Sequence, residues 1–268
     1  MVLRIISAVV SLPIALGFIW IGPPLFSLFA VILAAIGAWE LTRMAKNIGK
    51  HPPVLVTIAW AVGLVLIGHV LAEDLSVSDT TRALVAIVAF SYVTWQVRYA
   101  QNRIAISDLR LAIGISIYIG GMLAFAPLLR GLDQGREWVL LTALVTFTTD
   151  TLALYVGYSL GRTPLALRIS PGKTWEGAIA GLIGAVVVCI VITPILDLPL
   201  GFLQQVILGL LLGVVGQIGD LVESRIKRAT DVKDSGTLIP GHGGVLDRLD
   251  SIVLNLVLVY YFAIGVVI

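Results

Sequence analysis

Residues 175–195, WEGAIAGLIGAVVVCIVITPI, carry one charged side chain, Glu176, in 21 positions. As a helix rising about 1.5 Å per residue, such a run crosses the roughly 30 Å hydrocarbon core of a bilayer and satisfies its own backbone N–H and C=O groups. The pattern recurs along the chain. Apolar runs of similar length lie at about 5–22, 24–41, 53–72, 81–97, 111–129, 138–160, 199–222 and 251–268, so the sequence predicts nine spanning helices and an all-α polytopic membrane protein. Composition agrees: of 268 residues 58% are hydrophobic and only 13% charged, and mean hydropathy is +1.01, where soluble domains carry about 25% charge.

The first run follows Met1-Val2-Leu3-Arg4 and lacks a small-x-small cleavage pattern, so it reads as a retained helix instead of a signal peptide. Basic residues mark cytoplasmic loops. With nine spans, fifteen of the eighteen Lys and Arg fall on the side of the amino terminus, and only Arg82, Arg130 and Arg136 fall opposite. That split predicts a cytoplasmic amino terminus, an outside carboxyl terminus, and a multi-pass protein of the cell membrane with its chemistry facing the cytoplasm. The outer loops are short and acidic. The single Cys189 lies mid-span, forms no intramolecular disulfide and reads as packing. No repeat or long linker divides the chain, so one domain is expected over 1–268: spans one to five (1–130) as scaffold, spans six to nine (138–268) carrying the site.

Charge is distributed unevenly between those halves. Asp150, Glu176, Asp220, Glu223, Asp231, Asp234, Asp247 and Asp250 all lie in or near the cytoplasmic half of the last four spans, while the first five offer Glu40 and Asp108. Carboxylates in or beside spans are costly unless paired, hydrated or metal-bound, so each is a candidate functional group. Local ion pairs with Arg162, Lys173, Lys227 or Arg248 are the plainer reading for any one of them.

At the end of the eighth run, GQIGDLVESRIKRA, Asp220, Glu223, Ser224 and Lys227 recur at i, i+3, i+4 and i+7 and therefore share one helical face. Carboxylate oxygens suit a hard cation such as Mg²⁺, which completes its shell with water and substrate phosphate. Zinc is disfavoured, because His51, His69 and His242 are scattered and one Cys supplies no thiolate set. Asp150, within TFTTDTLALYVG (146–157), needs a partner or a metal of its own.

Beyond that helix comes Pro240-Gly241-His242-Gly243-Gly244, whose glycines permit left-handed backbone and close approach of a ligand to main-chain N–H groups. Many such loops are merely turns. Here Lys227, Arg228, Lys233 and Arg248 flank it as phosphate donors, and Asp247 and Asp250 stand three apart at the start of the last helix. A second loop, Arg168 to Gly177, contains Ser170-Pro171-Gly172-Lys173-Thr174-Trp175-Glu176. Ser170-Pro171 is an ordinary helix start, and the N–H groups of a helix start attract anions, with Lys173 and Thr174 beside them. Gly157/Gly161, Gly177/Gly181 and Gly209/Gly213 are small-residue spacings that permit close helix packing and carry no chemistry.

The 27-residue stretch SRIKRATDVKDSGTLIPGHGGVLDRLD (224–250) resembles the signature of the phosphatidate cytidylyltransferases, the CDP-diacylglycerol synthases, and SPGKTWEG, Asp150 and Gly219-Asp220 resemble family features at similar relative positions. The early spans match only in hydrophobicity and length. The resemblance implies a metal-dependent nucleotidyltransferase that moves the cytidylyl group of CTP to phosphatidic acid, yielding CDP-diacylglycerol and pyrophosphate for phospholipid biosynthesis. Within that reading Asp220 and Asp247 are direct metal ligands, and Asp250, Glu223 and Asp150 are further or supporting ligands. Lys227, Arg228, Lys233 and Arg248 neutralise phosphates. Gly241, His242, Gly243 and Gly244 hold pyrophosphate or nucleotide phosphate, with Ser224 and Asp234 beside them, and Ser170, Lys173, Thr174 and Glu176 face the lipid phosphate or the nucleotide. The implied partners are CTP, phosphatidic acid and membrane lipid, with no nucleic acid. Mg²⁺ is the expected cofactor, a second metal or monovalent cation is left open, and a homodimer is the default assembly.

Two rivals compete. An ion-coupled membrane transporter would use Asp150 and Asp220 for ions, but such proteins carry repeated halves with interrupted helices, and here charge is confined to one half. A CDP-alcohol phosphotransferase would carry a DG-x-x-AR pattern, which is absent.

Overall fold

The computed structural model describes residues 13–72, 105–238 and 243–267. Seven helices among them are long and apolar enough to cross a membrane: Pro23–Lys46, Val54–Ala72, Ile106–Gly131, Gly135–Leu160, Trp175–Ile195, Phe202–Ala229 and Leu246–Val266. Each coincides with an expected run, and the chain is a multi-pass, mainly helical membrane protein. The expected run at 81–97 lies outside the described residues, and of the run at 5–22 only residues from 13 on are described, helical through 21.

The chain divides into two compact units, one formed by residues 1–132 with 230–247, the other by 133–229 with 248–268. In the first unit, Gly22 (φ 130°) ends the helix through residue 21, and Pro23 starts α1 (Pro23–Lys46), since proline loses nothing at a first helical position. Arg43 and Lys46 close α1 against the negative end of its dipole, and the Arg43 guanidinium lies 4.8 Å from the Trp39 ring centroid. After Pro52-Pro53 comes α2 (Val54–Ala72), then α3 (Ile106–Ile115), a π-helical turn (Ser116–Gly121) and α4 (Phe125–Gly131), which together make one span. A side chain on Gly120 would fall on the Ala61 backbone, so α2 and the π turn meet main chain to main chain. The Ser116 hydroxyl bridges that contact, lying 3.0 Å from the Thr57 carbonyl and 2.8 Å from that of Ala112.

The second unit holds α5 (Gly135–Leu160), a two-stranded hairpin of β1 (Pro164–Ala166) and β2 (Ser170–Thr174), α6 (Trp175–Ile195) and α7 (Phe202–Ala229). A short turn α8 (Leu246–Leu249) at the unit boundary precedes α9 (Ile252–Val267). Along α6 the small residues Gly177, Gly181, Gly184, Ala185 and Cys189 are buried, while Ile179, Ile183, Val187, Val191 and Ile195 point outward at four-residue spacing. Branched aliphatic groups outside and glycines inside suit a helix whose outer solvent is hydrocarbon. The glycine pairs read as packing do pack: a Cβ on Gly181 would lie 2.8 Å from the Thr149 carbonyl oxygen, and one on Gly209 2.7 Å from Val186 Cα. Deeper in the unit, buried Asn255 of α9 donates to Thr146 of α5 at 2.8 Å.

One local expectation changes. Ser170-Pro171 does not start α6. Residues 164–174 fold back on themselves with Thr174 paired to Pro164, and Thr174 becomes the cap, its hydroxyl accepting from the Gly177 N–H at 3.2 Å. Pairing across the hairpin satisfies the backbone groups that an earlier helix start would leave open.

Candidate active site

The face predicted on GQIGDLVESRIKRA exists on α7, and the break between α8 and α9 brings a third carboxylate to it. Asp220, Glu223 and Asp250 each offer an oxygen, and these atoms lie within 4.8 Å of one another. Glycine at 219 makes this possible, since a side chain there would strike the Asp250 carbonyl. Three carboxylates so close repel by roughly 3 kcal/mol per pair at an effective dielectric of about 20, so they require cations. Among the described residues two lysines pair with them. Lys227 reaches Glu223 at 2.6 Å, one helical turn away, and Lys173 reaches Asp220 at 2.5 Å. Glu223 is fully buried, and Lys227 nearly so.

Lys173 is delivered by the hairpin. The Trp175 N–H donates to the Thr163 carbonyl at 2.9 Å, and the Thr163 N–H in turn meets both Glu176 oxygens at 3.2 Å, which ties the hairpin to the first turn of α6. Arg228 of α7 fastens the other side through its Nε to the Ile169 carbonyl, 3.3 Å. Ser170 is half-buried in β2, and Ser224 sits under Asp220 with its hydroxyl 3.4 Å from Oδ1.

Asp150 joins the same group from α5. The Ser251 hydroxyl donates to Asp150 Oδ1 at 3.3 Å while the Ser251 N–H donates to Asp250 Oδ1 at 2.7 Å, so one residue links the two acids. Asp220, Lys173 and the exposed Arg248 are all within electrostatic reach of Asp150. Of the sequence-predicted residues, this unit therefore gathers Asp150, Lys173, Asp220, Glu223, Ser224, Lys227 and Asp250. Its donor set is carboxylate oxygen throughout, compact and partly buried, which fits a hard divalent ion and not zinc.

Asp247 stands in a different network, within the first unit. Its Oδ2 accepts from the Ser235 N–H (2.9 Å), the Ser235 hydroxyl (2.8 Å) and the Gly244 N–H (2.7 Å). Glu40 of α1, 1% exposed, takes the neighbouring donors: the Val245 N–H at 3.0 Å, the Leu246 N–H at 2.8 Å and the Ser235 hydroxyl at 3.2 Å. Resident carboxylates thus hold the N–H groups of 244–246. Gly243 adopts the left-handed backbone expected of this loop (φ 83°), whereas Gly244 is required for room, because a Cβ there would fall on the Ser235 hydroxyl and on both Glu40 oxygens. Lys233 and Asp234 are exposed in the same unit. Gly241 and His242 lie outside the described residues.

Glu40 was legible as an isolated acid in an apolar run, but only the fold shows what it binds. The hairpin that carries Lys173 gave no comparable signal, because Pro164 and Pro171 read as loop.

The chain matches the model of the "Cytidylyltransferase family" over residues 2–265. It is 32% identical over 266 residues to the phosphatidate cytidylyltransferase of Bacillus subtilis (strain 168), covering 96% of each chain. It is 36% identical over 261 residues to that of Brucella abortus biovar 1 (strain 9-941), covering 97% of this chain and 92% of the relative, and 33% identical over 252 residues to that of Staphylococcus saprophyticus, covering 94% of both. An acidic, lysine-balanced cluster on membrane helices and a match running nearly end to end place this chain in the cytidylyltransferase family.

Proposed function

We propose that this chain is a CTP:phosphatidate cytidylyltransferase, making CDP-diacylglycerol and pyrophosphate, and that the Asp220, Glu223 and Asp250 cluster is where it holds a divalent cation, Mg²⁺ by preference. The activity follows from the family and from relatives of that name at near full length. The transporter reading finds no support there. The single observation that carries the site is the convergence of three carboxylates within 4.8 Å, balanced by two lysines.

Phosphatidate carries a phosphate monoester whose second pKa is about 6, so near neutral pH it is largely a dianion and needs no general base. One of its oxygens attacks the α-phosphorus of CTP, the α–β phosphoanhydride bond breaks, and pyrophosphate leaves. The enzyme's difficulty is bringing two polyanions together. Lys173 and Lys227 serve that end: each ammonium now rests on a carboxylate and can turn part of its charge to a phosphate oxygen. Arg228, Arg248 and Lys233 add exposed positive charge for the same purpose. Asp220, Glu223 and Asp250 would hold the divalent ion, with Asp150 steadying Asp250 through Ser251. When bound, that ion supplies Lewis-acid polarisation and charge neutralisation at the reacting phosphates. Ser170, Thr174 and Glu176 shape the hairpin that presents Lys173. Asp247 holds Ser235 and Gly244 within the first unit, and we assign nucleotide phosphate to the glycine segment ahead of Gly244. The site faces the cytoplasm, where CTP is soluble, and the protein works as a homodimer by default of symmetry.

The test is direct. The purified chain, given CTP labelled in the cytidine and phosphatidate with Mg²⁺, should transfer label to an organic-soluble product and release pyrophosphate, and should do neither when diacylglycerol replaces phosphatidate. Label in lipid without added phosphatidate, or none with it, would refute the reading.

A further inference from the structure

The outward faces of α5, α6 and α7 change character where they reach the level of the acidic cluster. On α6 the exposed row of Ile179, Ile183, Val187, Val191 and Ile195 begins one turn earlier with Trp175, 53% exposed. On α5 Leu144, Phe147, Thr151 and Leu154 lead to Tyr158, 92% exposed, and on α7 Leu211, Val214, Ile218 and Val222 lead to Arg225. Rows at three- and four-residue spacing keep to one side of a helix, so Tyr158, Trp175 and Arg225 end the lipid-facing sides of their helices. Trp and Tyr favour the level where hydrocarbon gives way to headgroups, and Arg extends its charge toward that level.

The hairpin strung between Tyr158 and Trp175 therefore lies beside the headgroups. Its turn, Leu167-Arg168-Ile169, is closed by the Ile169 N–H on the Ala166 carbonyl at 3.0 Å. Leu167 is 65% exposed although it belongs to no spanning helix, and the upper acyl carbons of a leaflet would cover it. Arg168 is exposed next to it. Arg228, whose Nε meets the Ile169 carbonyl at 3.3 Å, brings the end of α7 to this turn, and Arg225 stands one helical turn back on the same side. No carboxylate among the described residues pairs with Arg168 or Arg225. Further along the same hairpin, Lys173 reaches Asp220 at 2.5 Å, so one element meets lipid at its turn and the acidic cluster at its second strand.

We propose that the turn of this hairpin, with Arg168, Arg225 and Leu167, is a docking surface for the phosphate monoester of phosphatidate in the leaflet, from which the headgroup passes to Lys173. The inference rests on the reading of phosphatidate as the acceptor. Charge complementarity selects the occupant: a monoester dianion offers terminal oxygens to two guanidinium groups, whereas phosphatidylcholine balances its single phosphate charge with its own ammonium. Leu167 selects the source, since a phosphate held in the leaflet arrives with acyl chains and CTP arrives from water.

The full-length chain in phosphatidylcholine nanodiscs, with Mg²⁺ and with phosphatidate varied as a mole fraction, provides the test. Arg168→Gln and Arg225→Gln should each raise the KM for phosphatidate about fivefold to tenfold, and more together, while kcat and the KM for CTP stay within about twofold. Arg168→Lys keeps the charge and should recover most of the loss. High salt should raise the wild-type KM for phosphatidate toward that of the double variant and change the double variant little. Independently of catalysis, a fluorophore on Leu167→Cys in a Cys189→Ser background should be quenched by lipids carrying a nitroxide at the headgroup. If Arg225→Gln does not accumulate in the membrane, Arg168→Gln alone carries the kinetic test. An unchanged KM for phosphatidate in the folded variants, a loss confined to kcat, a rise in the KM for CTP instead, or an unquenched fluorophore overturns the inference. Failure of the wild-type chain to label phosphatidate overturns instead the functional reading beneath it, and the quenching still reports where the hairpin lies.

Discussion

Replacing Lys227 by Met tests whether the acidic cluster is held together by internal cations. In the structure its ammonium lies 2.6 Å from Glu223, whose side chain is 0% exposed and whose neighbours Asp220 and Asp250 offer oxygens within 4.8 Å. Removing one partner of a buried ion pair costs about 3–5 kcal/mol, and here the stranded carboxylate also faces two like charges, so the loss belongs at or above about 3 kcal/mol. For a chain of this size that corresponds to a fall in melting temperature of about 6–12 °C. Cys189 provides the assay. It is the chain's only cysteine and is fully buried in α6, so a thiol-reactive fluorophore reports unfolding of the second unit directly. Adding Glu223→Gln to Lys227→Met removes both charges and should return the melting temperature to within about 2 °C of wild type while leaving the enzyme inactive. Millimolar Mg²⁺ should stabilise the Lys227→Met variant more than wild type, since a cation then replaces the lost ammonium. A Lys227→Met protein that melts within about 2 °C of wild type, or one that Glu223→Gln does not rescue, would refute the reasoning.

Asp250→Asn should lower turnover by about 100-fold or more and raise the Mg²⁺ concentration for half-maximal rate, measured by label transfer to lipid; unchanged Mg²⁺ dependence would remove Asp250 from the cation site. Gly181→Ala places a methyl group 2.8 Å from the Thr149 carbonyl oxygen and should cost about 1–3 kcal/mol of stability in the Cys189 assay, with activity retained per folded molecule at low temperature. In a Cys189→Ser background, Thr237→Cys is exposed and should react with an impermeant maleimide only from the cytoplasmic side; labelling from outside would reverse the orientation drawn from the basic loops.

Hydrophobic run length was enough to locate every spanning helix among the described residues, because a bilayer demands about 20 apolar residues whatever the tertiary contacts. Helical periodicity likewise put Asp220, Glu223, Ser224 and Lys227 on one face, a local property of α7. What depended on long-range geometry was not legible. Nothing at Lys173 announces that a hairpin will carry it to Asp220, and the Ser170-Pro171 pair suggested a helix start that backbone pairing overrides. Spacing let Asp247 and Asp250 share a face, and the resemblance made Asp247 the direct ligand and Asp250 a supporting one, yet a break in the helix after Leu249 puts Asp250 with the α7 carboxylates while Asp247 binds the loop of the first unit. Glycines 243 and 244 looked alike too, but one serves backbone angle and the other makes room for Ser235 and Glu40.

The most direct test of the account is the rate of CDP-diacylglycerol formation by the purified chain after exhaustive chelation, followed by Mg²⁺ addition. Carboxylates that exist to hold a divalent ion require the chelated enzyme to be inactive and Mg²⁺ to restore it, in wild type but not in Asp220→Asn. Undiminished synthesis after chelation would contradict the role given to Asp220, Glu223 and Asp250.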